Sequence, residues 1–116
     1  MLSETKVQLH HHLEELKMCG FPIIVEGKKD AAALKLFGIN NILELSKQSL
    51  ATLIDNLAAE KECIILTDLD KEGKKLYGKL AAHCQHHGIK INKKFRKFLF
   101  AETKLRNIEG LKHYQE

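Results

Sequence analysis

Tryptophan is absent from this sequence, proline occurs once, cysteine three times, and aromatic residues make up only 6% of the chain. No apolar run approaches the ~20 residues that a membrane-spanning helix needs, so no spanning segment and no membrane partner are expected. The first residues, MLSETKVQLHHHLEELK, carry acids and lack an uninterrupted apolar stretch; they do not read as a signal peptide. Cys19, Cys63 and Cys84 lie far apart with no CxxC pair. That argues against a disulfide framework and for reduced thiols in the cytoplasm. Repeats, low-complexity tracts and long linkers are also missing. What remains is 116 residues, 44% apolar and 29% charged, which suits one ordinary globular domain.

Positive charge is in short supply until the end of the chain. Residues 88–116 carry eight Lys/Arg against three Glu, a net +5. Residues 1–87 carry eleven Lys/Arg against twelve acids, a net −1. A basic segment of this kind suits a polyanionic partner, most simply RNA or DNA, or else a solvated helix face.

The spacing of Val7, Leu9, His10, Leu13, Leu16 and Met18 predicts an amphipathic helix over 4–18, with Ser3 as a candidate N-cap and Gly20 beyond its end. PIIVEG (22–27) reads as a short buried strand, with Pro22 tolerated only at its first position. A helix follows over 28–38, then a strand over 41–45 and a helix from Ser46 or Ser49 to about Ala59. ECIILTD (62–68) is the third strand, 71–88 holds a helix ending at Gly88, and IKIN (89–92) is a weak fourth strand. Residues 93–116 read as one or two short helices. Strands alternating with helices predict an α/β fold, a four-stranded mostly parallel sheet with helices on both faces. The expected division is an N-terminal helix (1–20) packed on the domain, a core (21–92) and a basic helical extension (93–116) of the same domain.

The stretch IILTDLDKEG (64–73) runs a buried-looking strand into two carboxylates one residue apart. Aspartate is a poor strand former and repels a second aspartate. Open parallel sheets bind ligands beyond the carboxyl ends of their strands, where strand order reverses. The first strand ends in Glu26 and the third in Asp68, with Asp70 in the turn that follows. If those strands are neighbours, three carboxylates share one edge. A divalent cation relieves their repulsion, and an all-oxygen set favours Mg²⁺, or Mn²⁺ in its place. Magnesium takes only one or two protein carboxylates, which leaves an acid for proton transfer. The alternative is that Asp68 and Asp70 cap the helix that follows.

VEGKKD (25–30) and LTDLDKEG (66–73) together resemble the Toprim domain, shared by bacterial primases, type IA and type II topoisomerases, OLD-type nucleases and the ribonuclease that matures the smallest ribosomal RNA. The family pattern is Glu-Gly after strand one, often with Asp three residues past the Gly, and Asp-x-Asp after strand three. Here these are Glu26, Gly27, Asp30, Asp68 and Asp70, with Gly73 matching the glycine that follows in primase-like members. The resemblance covers about residues 21–92. It implies a Toprim-like fold, Glu26 as general acid/base, and Asp68 and Asp70 holding Mg²⁺. It also implies that Lys28 contacts a phosphate, with a solvated lysine as the other reading. Gly27 and Gly73 would admit a phosphate to the backbone, or act as plain turn residues. Asp30 would support the helix start.

Tyr77 and Tyr114 are the two tyrosines, one in a helix and one in the tail. Topoisomerases and primases need further domains that do not fit in 116 residues, so neither activity is expected of the chain alone. The expected function is Mg²⁺-dependent processing of nucleic acid, with phosphodiester cleavage as the reaction. The alternatives are a non-catalytic nucleic-acid-binding module working with a protein partner, and a nucleotide-binding protein. Lys93, Lys94, Arg96 and Lys97, interleaved with Phe95, Phe98 and Phe100, are the candidate nucleic-acid contacts; the aromatics also suit a core. His83, Cys84, His86 and His87 raise a zinc reading, or a favourable set of histidines at a helix C-terminus.

Overall fold

The computed structural model describes residues 3–115. Helix α1 (Glu4–Met18) starts where Ser3 accepts the Lys6 N–H on its side chain. Then follow β1 (Ile23–Val25), α2 (Lys28–Lys35), β2 (Ile42–Glu44) and a single 3₁₀ turn over Leu45–Lys47. The chain continues through α3 (Leu50–Leu57), β3 (Glu62–Leu66), α4 (Lys71–His86), β4 (Lys90–Ile91), α5 (Lys94–Glu102) and a 3₁₀ segment over Glu109–Tyr114. Of the two serines that could start α3, Ser49 does so: its hydroxyl accepts from Thr52 N at 3.1 Å.

The sheet order is β2-β1-β3-β4 and every neighbouring pair is parallel. β1 pairs with β2 on one side and with β3 on the other, so the strand order reverses between β1 and β3. Val25 lies opposite Leu66, which places the residues after each at one edge. The fold is α/β with an all-parallel four-stranded sheet, as the alternation of strands and helices predicted.

The period-two geometry of the strands sorts their side chains onto two faces. Ile23, Val25, Ile64 and Leu66 pack with Leu9, Leu13 and Leu16 of α1, Ala31 and Leu34 of α2, Phe95 and Leu99 of α5, and Ile108 and Leu111. Ile24, Cys63 and Ile65 pack on the other face with Leu53 and Leu57 of α3 and Leu80 and Cys84 of α4. Both faces are buried, so the strands read as continuous apolar runs. Helix α4 stops at a left-handed glycine: Gly88 has φ +70°, and Ile89 N–H reaches back to Cys84 O at 2.8 Å.

Most elements are a residue or two shorter than the sequence reading, and two of these boundaries have a visible cause. α2 ends at Lys35 and not at Gly38, because its last turn tightens, with Phe37 N bonding Leu34 O and Gly38 N bonding Lys35 O. β3 ends at Leu66 and not at Asp68, because the polar groups beyond it bond elsewhere than to the β1 ladder.

Candidate metal and nucleic-acid site

Glu26 follows β1, and Asp68 and Asp70 follow β3, at the reversal point of the sheet. The Asp68 N–H donates to Glu26 Oε2 at 2.6 Å, so the two strand ends are joined through a carboxylate. The Glu26 carbonyl accepts from Ser46 N at 3.1 Å, which ties it to the segment after β2 as well. Asp68 Oδ1 accepts from Ile108 N at 3.0 Å. Asp70 is the N-cap of α4, its Oδ1 accepting from Gly73 N at 2.7 Å. The capping reading of Asp70 is therefore realised, and it leaves the second oxygen open. Among the described residues, each of the three acids spends one oxygen on a backbone N–H and has a second without a protein partner.

Asp30 is buried and closes the start of α2, with Oδ2 accepting from Gly27 N at 3.2 Å. Burial, and then the negative charge of Asp68, push its pKa up to about 6. Burial also raises Glu26, with the charges of Asp68, Asp70 and Glu72 adding to it against the hydrogen bond from Asp68 N. Asp68 is raised for the same first reason, and its bond from Ile108 N opposes the shift. These acids repel one another across the edge, which is the electrostatic condition a cation relieves.

Gly73 is required by the protein itself. A Cβ there would overlap the Asp68 carbonyl, and Thr67 Oγ1 donates to Gly73 O at 2.8 Å. Gly27 differs: its backbone is extended, and the nearest atom to where a Cβ would sit is Ser46 Oγ at 3.9 Å, so packing leaves room for a side chain. Lys28, at the first turn of α2, is exposed.

The basic stripe of α5 does not act as one face. Lys94 Nζ bonds Glu15 of α1 at 3.0 Å. Arg96 turns inward, donating from Nε to Thr67 O and from Nη2 to Asp68 O, each at 3.2 Å, with its guanidinium over the rings of Tyr77 and Phe100. Lys93 and Lys97 remain exposed. Phe95 is buried in the core, while Phe98 stacks on His12 with ring centroids 4.2 Å apart. The sequence reading missed the 106–108 segment altogether: Leu69 N donates to Arg106 O at 2.8 Å, and Ile108 N holds Asp68. Backbone groups leave no signature in a side-chain pattern. Thr67 and Tyr77 were missed as supports for a related reason, since their roles depend on what the fold brings opposite them.

The donor set suits a hard cation. All three acids offer carboxylate oxygen, the ligand type Mg²⁺ prefers, and that ion in general takes only one or two protein carboxylates and fills the rest of its shell with water and phosphate. Among the described residues, no three His, Cys, Asp or Glu side chains are gathered closely enough to hold a metal as a group. The histidines of 83–87 are divided: Cys84 is buried against Cys63, with sulfurs 3.7 Å apart, and His86 and His87 are exposed. Among the described residues no helix is long and apolar enough to cross a membrane.

Comparison with known proteins agrees with this fold. The Toprim domain family matches residues 21–103, which takes in α5 as well as the sheet. A UPF0292 protein of Methanocaldococcus jannaschii is 36% identical over 109 residues, 88% of this chain and 85% of that one. A UPF0292 protein of Pyrococcus abyssi is 34% identical over 102 residues, 85% of this chain and 77% of that one. A solved structure of a protein from Aquifex aeolicus superposes with a TM-score of 0.75 at 32% identity, covering 95% of this chain and 97% of that one. Toprim domains generally bind Mg²⁺, and the family points to metal-dependent work on nucleic acid. With two Toprim motifs at the ends of adjacent parallel strands and a family match over most of its length, the chain belongs to the Toprim family.

Proposed function

We propose that the chain is a Mg²⁺-dependent nuclease that cleaves a phosphodiester bond in RNA or DNA. The observation that carries this reading is the junction of Glu26 and Asp68 across the β1–β3 edge, with Asp70 two residues on. Asp68 and Asp70 would hold the cation and Glu26 would complete its surroundings. Bound Mg²⁺ supplies charge neutralisation at phosphoryl oxygens. Glu26, with its raised pKa and a second oxygen open, is the group suited to take and return a proton at Oε1. Gly27, Lys28 and the exposed Lys93 and Lys97 are the groups proposed to meet the phosphate backbone.

The test is a cleavage assay on labelled single- and double-stranded RNA and DNA, with Mg²⁺ and Mn²⁺ supplied separately and Asp70→Asn as control. Asparagine caps a helix as well as aspartate, so this variant removes charge without removing the cap. The expected result is a metal-dependent product that falls at least about a hundredfold in the variant, the scale of lost acid–base or metal support. Undiminished product in Asp70→Asn would overturn the reading.

A second reading is a nucleic-acid-binding module that cuts nothing alone and works with a protein partner. It is supported by the use of one oxygen of every acid on backbone and by the absence, among the described residues, of a gathered metal group. It predicts salt-dependent binding through residues 90–106 and no product.

A further inference from the structure

The Asp68–Leu69 peptide is held at both ends by residues from beyond the sheet. Its carbonyl accepts from Arg96 Nη2, and its N–H donates to Arg106 O. The preceding carbonyl, Thr67 O, accepts from Arg96 Nε. One planar guanidinium thus spans two successive carbonyls of the turn that carries Asp68. The fork is itself fixed, lying 4.4 Å from the Tyr77 ring centroid on α4 and 5.1 Å from that of Phe100 on α5. A loop this short between β3 and α4 has no ladder partner of its own for these carbonyls. Arg96 replaces that ladder.

We propose that Arg96 is a positioning residue: it contacts no cation or substrate, but sets the peptide planes on either side of Asp68 and so aims the open carboxylate oxygen into the acidic edge. This rests on the reading of that edge as a metal site. It removes Arg96 from the nucleic-acid contacts and gives it a role in the geometry of the metal ligands. The fork geometry matters, because five donors in a plane match two adjacent carbonyls and a lysine ammonium does not.

Charge and geometry predict opposite signs here. Removing a cation from beside a dication site strengthens metal binding on Coulomb's law alone. Loss of positioning weakens it, by about tenfold or more, the scale seen when groups that orient metal ligands are removed.

The experiment is isothermal titration of the full chain with Mn²⁺ alone, accompanied by thermal melts, for wild type, Asp68→Asn, Arg96→Gln, Arg96→Lys and Leu99→Ala. Leu99 is fully buried on α5, and its truncation destabilises the same helix with the fork intact. The expected result is Mn²⁺ affinity lost in Asp68→Asn, weakened about tenfold in both Arg96 variants, and unchanged in Leu99→Ala despite its lower melting temperature. Equal or tighter binding in the Arg96 variants would overturn the proposal. So would an equal loss in Leu99→Ala, or a failure of both Arg96 variants to fold where Leu99→Ala folds. If wild type binds no Mn²⁺, or Asp68→Asn binds as well as wild type, the failure lies in the metal reading, and the Arg96 role falls with it.

Discussion

The two ends of α4 carry similar chemistry in sequence and opposite arrangements in space. At its N-terminal end, the Asp68 N–H meets the Glu26 carboxylate from a different strand, with Asp70 two residues on as the cap of the helix. At its C-terminal end, His83, Cys84, His86 and His87 radiate around one helix, with Cys84 inward against Cys63 and His86 and His87 outward. Burial drives the Cys63 thiol up to about 12 and raises Cys84 too, so neither is poised to be a thiolate. Ligand-type residues adjacent in the chain spread around a helix at about 100° each. Convergence needs a second element, and the reversal of strand order between β1 and β3 supplies it at one end only.

The largest test of this contrast is on turnover. Asp70→Asn should remove metal-dependent cleavage, whereas His87→Ala should leave it within twofold of wild type, read in the same assay. An equal loss from both would break the comparison.

Next in size is Gly73→Ala. The added methyl meets the Asp68 carbonyl, and overpacking against backbone costs about 3 kcal/mol, measured as a fall in urea midpoint at constant slope. Smaller and opposite is Gly78→Ala on the same helix. Gly78 has open space where a Cβ would sit, so alanine should stabilise by about 0.5–1 kcal/mol through helix propensity. The pair separates close approach from mere tolerance of glycine within a single helix.

Asp30 gives a pH signature of the crowded end, measured in the metal-free chain. Its folded pKa of about 6 lies above the roughly 3.9 of an unfolded aspartate, so the folded state binds the proton more tightly. Stability from this group is full below pH 4 and is lost as pH rises through 6. Asp30→Asn removes that loss. The variant should match wild type at pH 4 and exceed it at pH 7 by about 1–2 kcal/mol. Parallel melting curves of the two across that range would show that burial and the neighbouring acids do not raise Asp30.

The element order, the parallel sheet and the acids at its edge were legible in the sequence, because each rests on local physics. Apolar runs bounded by glycine mark buried strands, Ser3 and Ser49 cap their helices, and Gly88 supplies the left-handed stop that only a residue without Cβ adopts freely. The Glu-Gly and Asp-x-Asp spacings follow from the same strand ends. Tertiary structure alone decided what the basic residues do. Lys93, Lys94, Arg96 and Lys97 look alike in sequence, yet Lys94 pairs with α1, Arg96 folds back onto Thr67 and Asp68, and Lys93 and Lys97 face solvent. The hold of Arg106 and Ile108 on the Asp68 loop was equally invisible, since it is made by backbone atoms that every residue shares. Periodicity shows which face of an element is buried, but the direction of a long polar side chain depends on which unpaired carbonyl or ring another part of the chain leaves within its reach.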